Sequence, residues 1–271
     1  MEKFSKEWID NLVDDYLSKM SLKDIKKKYQ TSSDTIYKFI DERGVPRSNS
    51  KDLSKFKNIN DPQVQYWIGY LCADGNIEYN TSKRVYKVSL FSIDEEVMDN
   101  FSKFFGKIVK RYSRKNSNVM ECAIHSKELC EFFIKELNII PNKGLTLNPN
   151  IDLNPNFILG YFDGDGSISN STDVRIRHES KFTCGSEIFI NRIKSILDDQ
   201  GIYSVIRPKG SAFDLCIERK SESEKLYKYM YQNNLICLSR KLNNFVALYG
   251  NIGDNNWVNC EELDGQLAAN Y

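Results

Sequence analysis

The acidic residues of two matching nonapeptides are the first candidates for chemistry in this chain. The nonapeptides are WIGYLCADG at residues 67–75 and ILGYFDGDG at residues 158–166, and each has the apolar, small-residue composition of a packed helix that ends in Asp-Gly. If the two copies fold together, Asp74 and Asp165 meet at one point. Two partly desolvated carboxylates repel each other unless a cation neutralises them, and magnesium prefers oxygen ligands with phosphate completing its shell. The pair therefore predicts a divalent metal site.

The glycines inside these segments indicate how the two copies pack. Gly69 and Gly160 occupy the same position of the nonapeptide, and a glycine inside a helix costs roughly 1 kcal/mol relative to alanine. A close approach of two helix backbones compensates for that cost. The sequence therefore predicts two helices in direct backbone contact, with the two aspartates at the place where the helix pair ends.

Both nonapeptides resemble the signature of the LAGLIDADG homing endonucleases. The match covers the glycine at the third position, the small residues Ala73 and Gly164 at the seventh, the aspartate at the eighth and the glycine at the ninth. The departure is Cys72, which stands at the sixth position where the second copy has Asp163. Because the family's sixth-position aspartate is not the catalytic one, the resemblance implies an active site in spite of this change.

The resemblance implies an α+β fold in which two pseudo-symmetric αββαββα repeats form a saddle for DNA. The repeats are assigned to residues 62–150 and 151–250. The segment KVSLFS at 87–92 aligns with KFTCGS at 181–186, 94 residues later. Sequence periodicity and glycine stops predict the following helices, with strand-like segments between them: 97–105, 127–137, 188–197 and 221–231.

The resemblance also implies the reaction. Asp74 and Asp165 would bind Mg²⁺ or Mn²⁺, with help from the backbone carbonyls of Ala73 and Gly164. Members of the family hydrolyse both strands of double-stranded DNA across the minor groove and leave short 3′ overhangs. A protein of this fold that binds DNA or RNA without cutting it, such as a transcription regulator or an intron maturase, is the alternative.

Two further pairs of residues match supporting positions of the family. Each half closes with a basic segment, where Lys143 and Lys241 match a cation that stabilises the transition-state charge or tunes the attacking water. Arg240 is an alternative to Lys241, because the spacing differs between the halves. Ser92 and Ser186 match positions that often carry a water-organising polar residue.

Basic residues on the predicted strands are candidates for DNA contacts. Alternation places Arg175, Arg177 and Lys181 on one face of a strand whose other face is mostly apolar, as expected for a sheet that packs on helices and lies against phosphate. Lys87 and Lys181 recur at one position in the alignment above, which favours DNA over an exposed, solvated edge. The predicted contacts of the two repeats are Arg84, Lys87, Arg111, Arg114, Arg175, Arg177, Lys181 and Arg207.

Residues 1–50 form a different unit. Helical segments at 4–17, 21–29 and 32–42 resemble the helix-turn-helix of resolvase-type DNA-binding domains, and a structural cap is the alternative. Residues 51–61, polar and rich in Lys and Asn, are predicted to be a linker. The residues predicted to face the DNA groove or follow the last helix are Ser33, Thr35, Tyr37, Lys38 and Arg47.

Composition limits the remaining functions. With 271 residues, 41% of them hydrophobic, the chain can bury a substantial core, and no apolar run is long enough for a membrane span. The formal charge of +1 conceals a difference in distribution: the acidic tail at 251–271 has four acids and no Lys or Arg, so the rest of the chain carries +5. The resemblance makes double-stranded DNA the predicted partner and implies a monomer without a small-molecule cofactor.

The cysteines and one acidic segment suggest other metal sites that the sequence disfavours. Seven scattered cysteines without a Cys-x-x-Cys pattern indicate reduced thiols, as in the cytoplasm or another DNA-containing compartment. Cys122, His125 and Cys130 form the tightest Cys/His group, and core or capping roles are favoured over zinc. The segment from Asp163 imitates a calcium loop, but Ile168 stands where that loop needs glycine.

Overall fold

The computed structural model describes residues 4–18, 20–43, 56, 58–105, 110–114, 117–169, 180–232 and 236–252. They form two compact units, Met1–Lys57 and Asn58–Tyr271. Within the described part of the chain, no helix is long and apolar enough to cross a membrane.

The first unit consists of three short helices around a small apolar core. They are α1 (Lys6–Leu17), α2 (Leu22–Tyr29) and α3 (Ser33–Glu42). Each begins after a serine whose side-chain oxygen accepts a backbone N–H three residues later, a common helix start. Gln30, with a φ of 46°, turns the chain from α2 to α3. The core residues are Leu12, Val13, Tyr16, Ile25, Ile36 and Ile40.

The second unit contains two repeats of helices and antiparallel sheet. Its elements are α4 (Pro62–Asp74), β1 (Gly75–Asn80), β2 (Val85–Ser92), α5 (Glu95–Phe105), β3 (Lys110–Arg114), β4 (Ser117–Ile124), α6 (Lys127–Glu131, continued by a π-helical turn at Phe132–Glu136), a 3₁₀ turn (Lys143–Leu145), α7 (Pro155–Asp165), β5 (Gly166–Ile168), β6 (Ser180–Cys184), α8 (Glu187–Asp199), β7 (Val205–Lys209), β8 (Ala212–Ile217), α9 (Lys220–Tyr231) and α10 (Ser239–Tyr249). This order confirms the predicted α+β fold.

The two sheets have the same topology. The strand order is β1-β2-β4-β3 in the first repeat and β5-β6-β8-β7 in the second, and all neighbouring strands are antiparallel. In each repeat, β1 or β5 continues directly from the helix that carries the nonapeptide. The end of that helix is therefore fixed to the edge of its own sheet, which positions the terminal aspartate.

Helices α4 and α7 lie in the centre of the second unit. Asp61 and Asn154 cap their first turns, and a proline follows at the first helical position in both. Residues 64–72 of α4 and 157–163 of α7 are all buried, as expected for helices that are covered on every side. The two helices therefore form the hydrophobic core of the unit.

The two central helices approach at their glycines, as predicted. A Cβ added to Gly69 would lie 2.1 Å from the carbonyl oxygen of Phe157, and one added to Gly160 would lie 1.9 Å from that of Tyr66. Neither position has room for a side chain, because the obstacle is backbone. The glycines therefore set the distance between α4 and α7.

The strand register shows that the predicted alignment of the repeats is wrong by two residues. Leu90 pairs with Gly75, and Phe182 pairs with Gly166, so equivalent residues of β2 and β6 lie 92 residues apart rather than 94. Lys181 therefore corresponds to Ser89 and not to Lys87. A two-residue shift keeps every side chain on its predicted face, so alternation alone could not detect the error.

Candidate active site

Asp74 and Asp165 end their helices side by side. Gly164, which precedes Asp165, lies so close to α4 that a Cβ there would be 2.3 Å from the Cβ of Ala73 and 3.6 Å from Oδ2 of Asp74. Burial followed by the negative charge of Asp74 raises the pKa of Asp165 to about 6, and burial also raises the pKa of Asp74. The structure thus brings together the two acids that the sequence singled out.

The closing lysines bind the carbonyl oxygens at the ends of the central helices. Nζ of Lys143 donates to Gly75 O at 2.5 Å and to Ala73 O at 3.4 Å. Nζ of Lys241 donates to Phe162 O, Asp163 O and Gly166 O at 2.6, 2.8 and 2.6 Å. Helix ends expose carbonyl oxygens and partial negative charge, and an ammonium group satisfies both.

The two lysines differ in what they have left to donate. An ammonium group has three hydrogens, and Lys241 uses all three while only 3% of its surface is exposed. Burial lowers its pKa to about 8. Lys143 is half-buried and donates to two carbonyls, so one of its hydrogens has no acceptor among the residues that the structure describes.

Each aspartate is most strongly coupled to the lysine of the opposite repeat. The charge of Lys241 lowers the pKa of Asp74 more than that of Lys143 does. The charge of Lys143 lowers the pKa of Asp165 more than that of Lys241 does. The two acids and two lysines therefore form one centre shared by both repeats, and neither repeat contains a complete site.

The acid pair fits a divalent ion such as Mg²⁺ or Mn²⁺. Carboxylate oxygens are hard ligands. A bound cation would reduce the repulsion between the two neighbouring carboxylates and favour their ionised form. Within the described residues, no group of three or more His, Cys, Asp or Glu side chains could hold a metal alone. Remaining ligands would come from phosphate, water and backbone carbonyls, of which Ala73 O also accepts from Lys143.

The predicted water-organising serines occupy different positions in the two repeats. With equivalent residues 92 apart, Ser92 corresponds to Cys184 and Asp94 to Ser186; in agreement, Ser92 influences the pKa of Tyr70, and Cys184 that of Tyr161. Ser92 lies beside the Asp74 end of the site and accepts the Asp94 N–H at 3.0 Å.

Ser186 has a structural role instead. Only 1% of its surface is exposed, its hydroxyl donates to Leu147 O at 2.7 Å, and its oxygen caps α8 by accepting the Phe189 N–H. Because both functions of the hydroxyl are used inside the protein, the geometry does not support the predicted water-organising role. The error follows from the two-residue misalignment, since the equivalent of Ser92 is Cys184.

The substitution at Cys72 is one half of a paired exchange across the helix interface. Asp163 is buried, and its Oδ2 accepts from the Tyr66 hydroxyl at 2.9 Å and the Leu238 N–H at 2.8 Å. The counterpart of Asp163 is Cys72, and the counterpart of Tyr66 is Phe157, which cannot donate. Sequence reasoning missed this pair, although the Tyr/Phe difference is visible at the residue before each nonapeptide.

Arg240 does not replace Lys241 at the helix end. Its Nε and Nη2 donate to Oδ1 and Oδ2 of Asp94 in the first repeat, at 3.2 and 3.1 Å. Of these two residues, Lys241 is the one that contacts the end of α7, so its position corresponds to that of Lys143. The alternative that spacing had left open is therefore resolved by the contacts.

Three of the predicted DNA-contacting cations of the sheets are paired with acids. Lys87 lies 3.1 Å from Glu121, Lys181 lies 3.3 Å from Asp214, and Arg207 contacts Glu218. Arg84 is exposed in the β1–β2 turn with a φ of 52°. Arg111 and Arg114 lie on β3, opposite Met120 and Ser117 in the backbone register with β4. Arg175 and Arg177 lie outside the described residues.

In the first unit, most of the exposed lysines that the structure describes lie on a different helix from the predicted recognition residues. Lys38 on α3 is exposed and pairs with Glu42 at 3.8 Å, while Thr35 is hydrogen-bonded to the capping Ser32. Ser33 and Tyr37 are half-buried, and Arg47 lies outside the described residues. Asp34, Asp41 and Glu42 make the described surface of α3 acidic. The exposed lysines of α2 are Lys23, Lys26, Lys27 and Lys28.

Comparison with known proteins identifies the second repeat and the fold. Residues 152–247 match the family model of the LAGLIDADG-like domain, and no curated protein matches the chain. The LAGLIDADG meganuclease I-AabMI bound to uncleaved DNA is similar with a TM-score of 0.50 and 12% identity over 77% of this chain and 92% of that one. This likeness shows the LAGLIDADG fold.

Two other solved structures are similar at lower TM-scores. I-SmaMI, bound to an uncleaved DNA target in the presence of calcium ions, has a TM-score of 0.46 and 16% identity over 72% of this chain and 99% of its own. The N-terminal LAGLIDADG domain of DUF199/WhiA has a TM-score of 0.43 and 12% identity over 64% of this chain and 82% of its own.

Proposed function

We propose that this chain, whose residues 152–247 form a LAGLIDADG-like domain, is a metal-dependent endonuclease that cuts double-stranded DNA at a specific site. The observation that carries the proposal is the meeting of Asp74 and Asp165 at the joined ends of α4 and α7, with a lysine from each repeat behind them. The presence of both acids and both lysines supports a catalytic centre over a surface that only binds.

The residues of the centre have separate tasks in this proposal. Asp74 and Asp165 would hold Mg²⁺ or Mn²⁺ against the DNA, where a divalent ion polarises a phosphate and lowers the pKa of bound water. Lys241 fixes the end of α7 by saturating three carbonyls. Lys143 fixes the end of α4 through two carbonyls and, among the described residues, keeps one hydrogen for a phosphate or water.

The surrounding structure supports a DNA backbone lying over this centre. Each acid is the last residue before the first strand of its sheet, so DNA lying on the two sheets brings one phosphate of each strand to the acids. We expect cleavage of both strands with short 3′ overhangs. Because one chain supplies both acids and both sheets, a monomer is sufficient.

We also propose that the first unit contributes to DNA binding. The support is its three-helix arrangement with a tight turn between α2 and α3 and the row of lysines on α2. The acidic surface of α3 favours phosphate contacts by α2 over the base contacts predicted for Ser33, Thr35, Tyr37 and Lys38.

The test is cleavage of a random DNA library. The full chain is incubated with the library and Mg²⁺, or Mn²⁺, and the new ends are sequenced; defined sites with 3′ overhangs are expected. The matched control is the Asp74→Asn, Asp165→Asn double variant, which should bind the recovered site in EDTA but leave it intact. Binding by the wild type without any cut would instead identify a non-cleaving regulator or maturase of this fold.

A further inference from the structure

Within the described residues, helices pack against one face of each sheet. Helices α5 and α6 contact the first sheet and α8 contacts the second, and the strand residues on that side, such as Leu90 and Phe182, are buried. Alternate residues of a strand lie on the opposite side, which we call the open face. Charged residues of the open face include Glu78, Lys87 and Glu121 in the first sheet, and Lys181, Lys209 and Asp214 in the second.

Each open face carries an almost fully buried acid at the same position. Glu121 lies opposite Phe91 and Asp214 lies opposite Thr183. These two partners are 92 residues apart, like the other equivalent residues of β2 and β6, so the two acids are equivalent. A carboxylate that has lost most of its water needs cations or donors around it. Each acid therefore fixes the side chains that neutralise it.

In the second sheet, one acid holds two lysines. Asp214 is on β8, between β6 and β7. Its Oδ2 lies 3.3 Å from Nζ of Lys181 on β6, and its Oδ1 lies 3.5 Å from Nζ of Lys209 on β7. Thr183 also donates to Oδ1, at 2.7 Å. The two lysine side chains are 32% and 56% exposed, so this part of the open face presents N–H donors to a ligand.

In the first sheet, one lysine lies between two acids. Nζ of Lys87 on β2 is 3.1 Å from Glu121 on β4 and 3.7 Å from Glu78 on β1. The Lys87 side chain is 21% exposed, whereas that of Glu78 is 48% exposed. Of these three groups, the most accessible is therefore the carboxylate of Glu78, which accepts hydrogen bonds and donates none. The arrangement of charges is the reverse of that in the second sheet.

Base edges in the major groove distinguish these two arrangements. Guanine presents two acceptors there, O6 and N7, which suit lysine donors. Cytosine presents the N4 amino donor, which suits a carboxylate. Adenine also has an amino donor, but its N7 acceptor lies beside that donor and would repel a carboxylate. A sheet that presents donors therefore favours guanine, and a sheet that presents a carboxylate favours cytosine.

We infer that the two repeats select different bases: Lys181 and Lys209 read guanine in one half of the target, and Glu78 reads cytosine in the other half. The inference rests on the proposed function, because it requires DNA on the open faces. Asp214 and Lys87 are positioning residues, since each holds the reading side chains through ion pairs. The target is therefore asymmetric at the base pairs that these residues contact.

Selection of DNA in EDTA tests the inference without cleavage. The full chain selects duplexes from a random library, and sequencing gives the base preference at every position. The wild type should prefer guanine at positions in one half of the target and cytosine in the other half. Replacing one of these base pairs should weaken binding by about tenfold.

The variants assign each preference to a residue. In Glu78→Gln the side chain gains a donor beside its acceptor, which matches N7 and N6 of adenine, so the preferred base should change from cytosine to adenine. Lys181→Met should abolish the preference for one guanine, and Asp214→Asn should weaken the guanine preference without weakening total affinity. The control is Lys228→Gln, which removes an exposed cation paired with Glu224 at 2.8 Å on α9 and should change no preference.

A modified base gives a second measurement on the wild type. 7-Deazaguanine lacks the N7 acceptor, so at the selected guanine it should weaken wild-type binding and leave binding by Lys181→Met unchanged. Circular dichroism verifies that each variant is folded.

Three results overturn the inference: a wild-type target without these preferences, an unchanged preference in Glu78→Gln or Lys181→Met, or an equal loss of affinity for all sequences. The last result would make the lysines phosphate contacts. Selection of a target that the wild type does not cut in Mg²⁺ refutes the proposed nuclease and leaves the base contacts intact. Cleavage together with unchanged preferences in the variants refutes the base contacts alone.

Discussion

The Asp74 and Asp165 ends of the site share their backbone plan and differ in the side chains that cross between repeats. Both copies have the glycine, the terminal aspartate and the closing lysine. The glycines allow the backbones of α4 and α7 to touch, the aspartates end the two helices, and the lysines bind the backbone carbonyls at those ends. Asp163 with Tyr66, and Arg240 with Asp94, occur on one side only. Side chains that meet a partner from the other repeat can change together, whereas those packed against backbone cannot.

The glycine contact should give the largest effect and should be equal in the two repeats. We expect Gly69→Ala and Gly160→Ala each to lower the free energy of unfolding by about 3 kcal/mol, because the added Cβ collides with a carbonyl oxygen that cannot move alone. Urea unfolding followed by tryptophan fluorescence measures this. Gly144→Ala, where nothing lies within 4 Å, is the control and should change stability by less than about 0.5 kcal/mol. Markedly unequal losses would contradict a symmetric backbone contact.

The closing lysines should respond unequally. Lys241→Met leaves three carbonyls without their donor in a buried place, and we expect a loss of about 3 kcal/mol. Lys143→Met exposes two carbonyls at a half-buried position, so a loss of about 1 kcal/mol is expected. The same unfolding experiment compares them. Equal losses would mean that the extra hydrogen bond of Lys241 contributes nothing.

The buried Asp163 should make stability depend on pH in a way that Cys72 does not. Burial raises the pKa of Asp163 to about 7, above the value of about 3.9 in the unfolded chain. Its ionisation therefore destabilises the fold as pH rises from 4 toward 7. Between pH 5 and pH 8, Asp163→Asn should gain roughly 2 kcal/mol relative to wild type. Cys72→Ser, the control at the equivalent position, should show a constant difference, and a constant difference for Asp163→Asn would refute the raised pKa.

The smallest effect concerns the paired cations of the sheets. Asp214 lies 3.3 Å from Lys181 and 3.5 Å from Lys209, so Asp214→Asn frees two cations on the second sheet. We expect about threefold tighter DNA binding. The slope of log affinity against log salt concentration should become steeper by about the amount that one additional phosphate contact contributes. Titration at several salt concentrations measures both quantities. Glu121→Gln is the matched change in the first sheet, and unchanged affinity in both variants would place these cations away from DNA.

Local patterns in the sequence were sufficient for the central helices and the site acids. Apolar, small-residue nonapeptides with a shared glycine predict close helix packing because steric exclusion acts at the glycine itself. The helices at 95–105, 187–199 and 220–231 were predicted to within two residues for the same reason, since their periodicity and stop signals are local. The misaligned strand and the role of Ser186 show the limit: β pairing is a contact between distant segments, and a two-residue slip leaves the alternation unchanged.

The sequence by itself determined the two acids, the helix pair that carries them and the α+β class, because these depend on residue type and short spacing. Only the tertiary structure decided which cation lies beside which acid. Lys241 saturates the end of α7, Arg240 binds Asp94 of the other repeat, and each aspartate is coupled most strongly to the opposite lysine. These contacts join residues between about 20 and 170 positions apart, and the energy of an ion pair or hydrogen bond depends on distance in space.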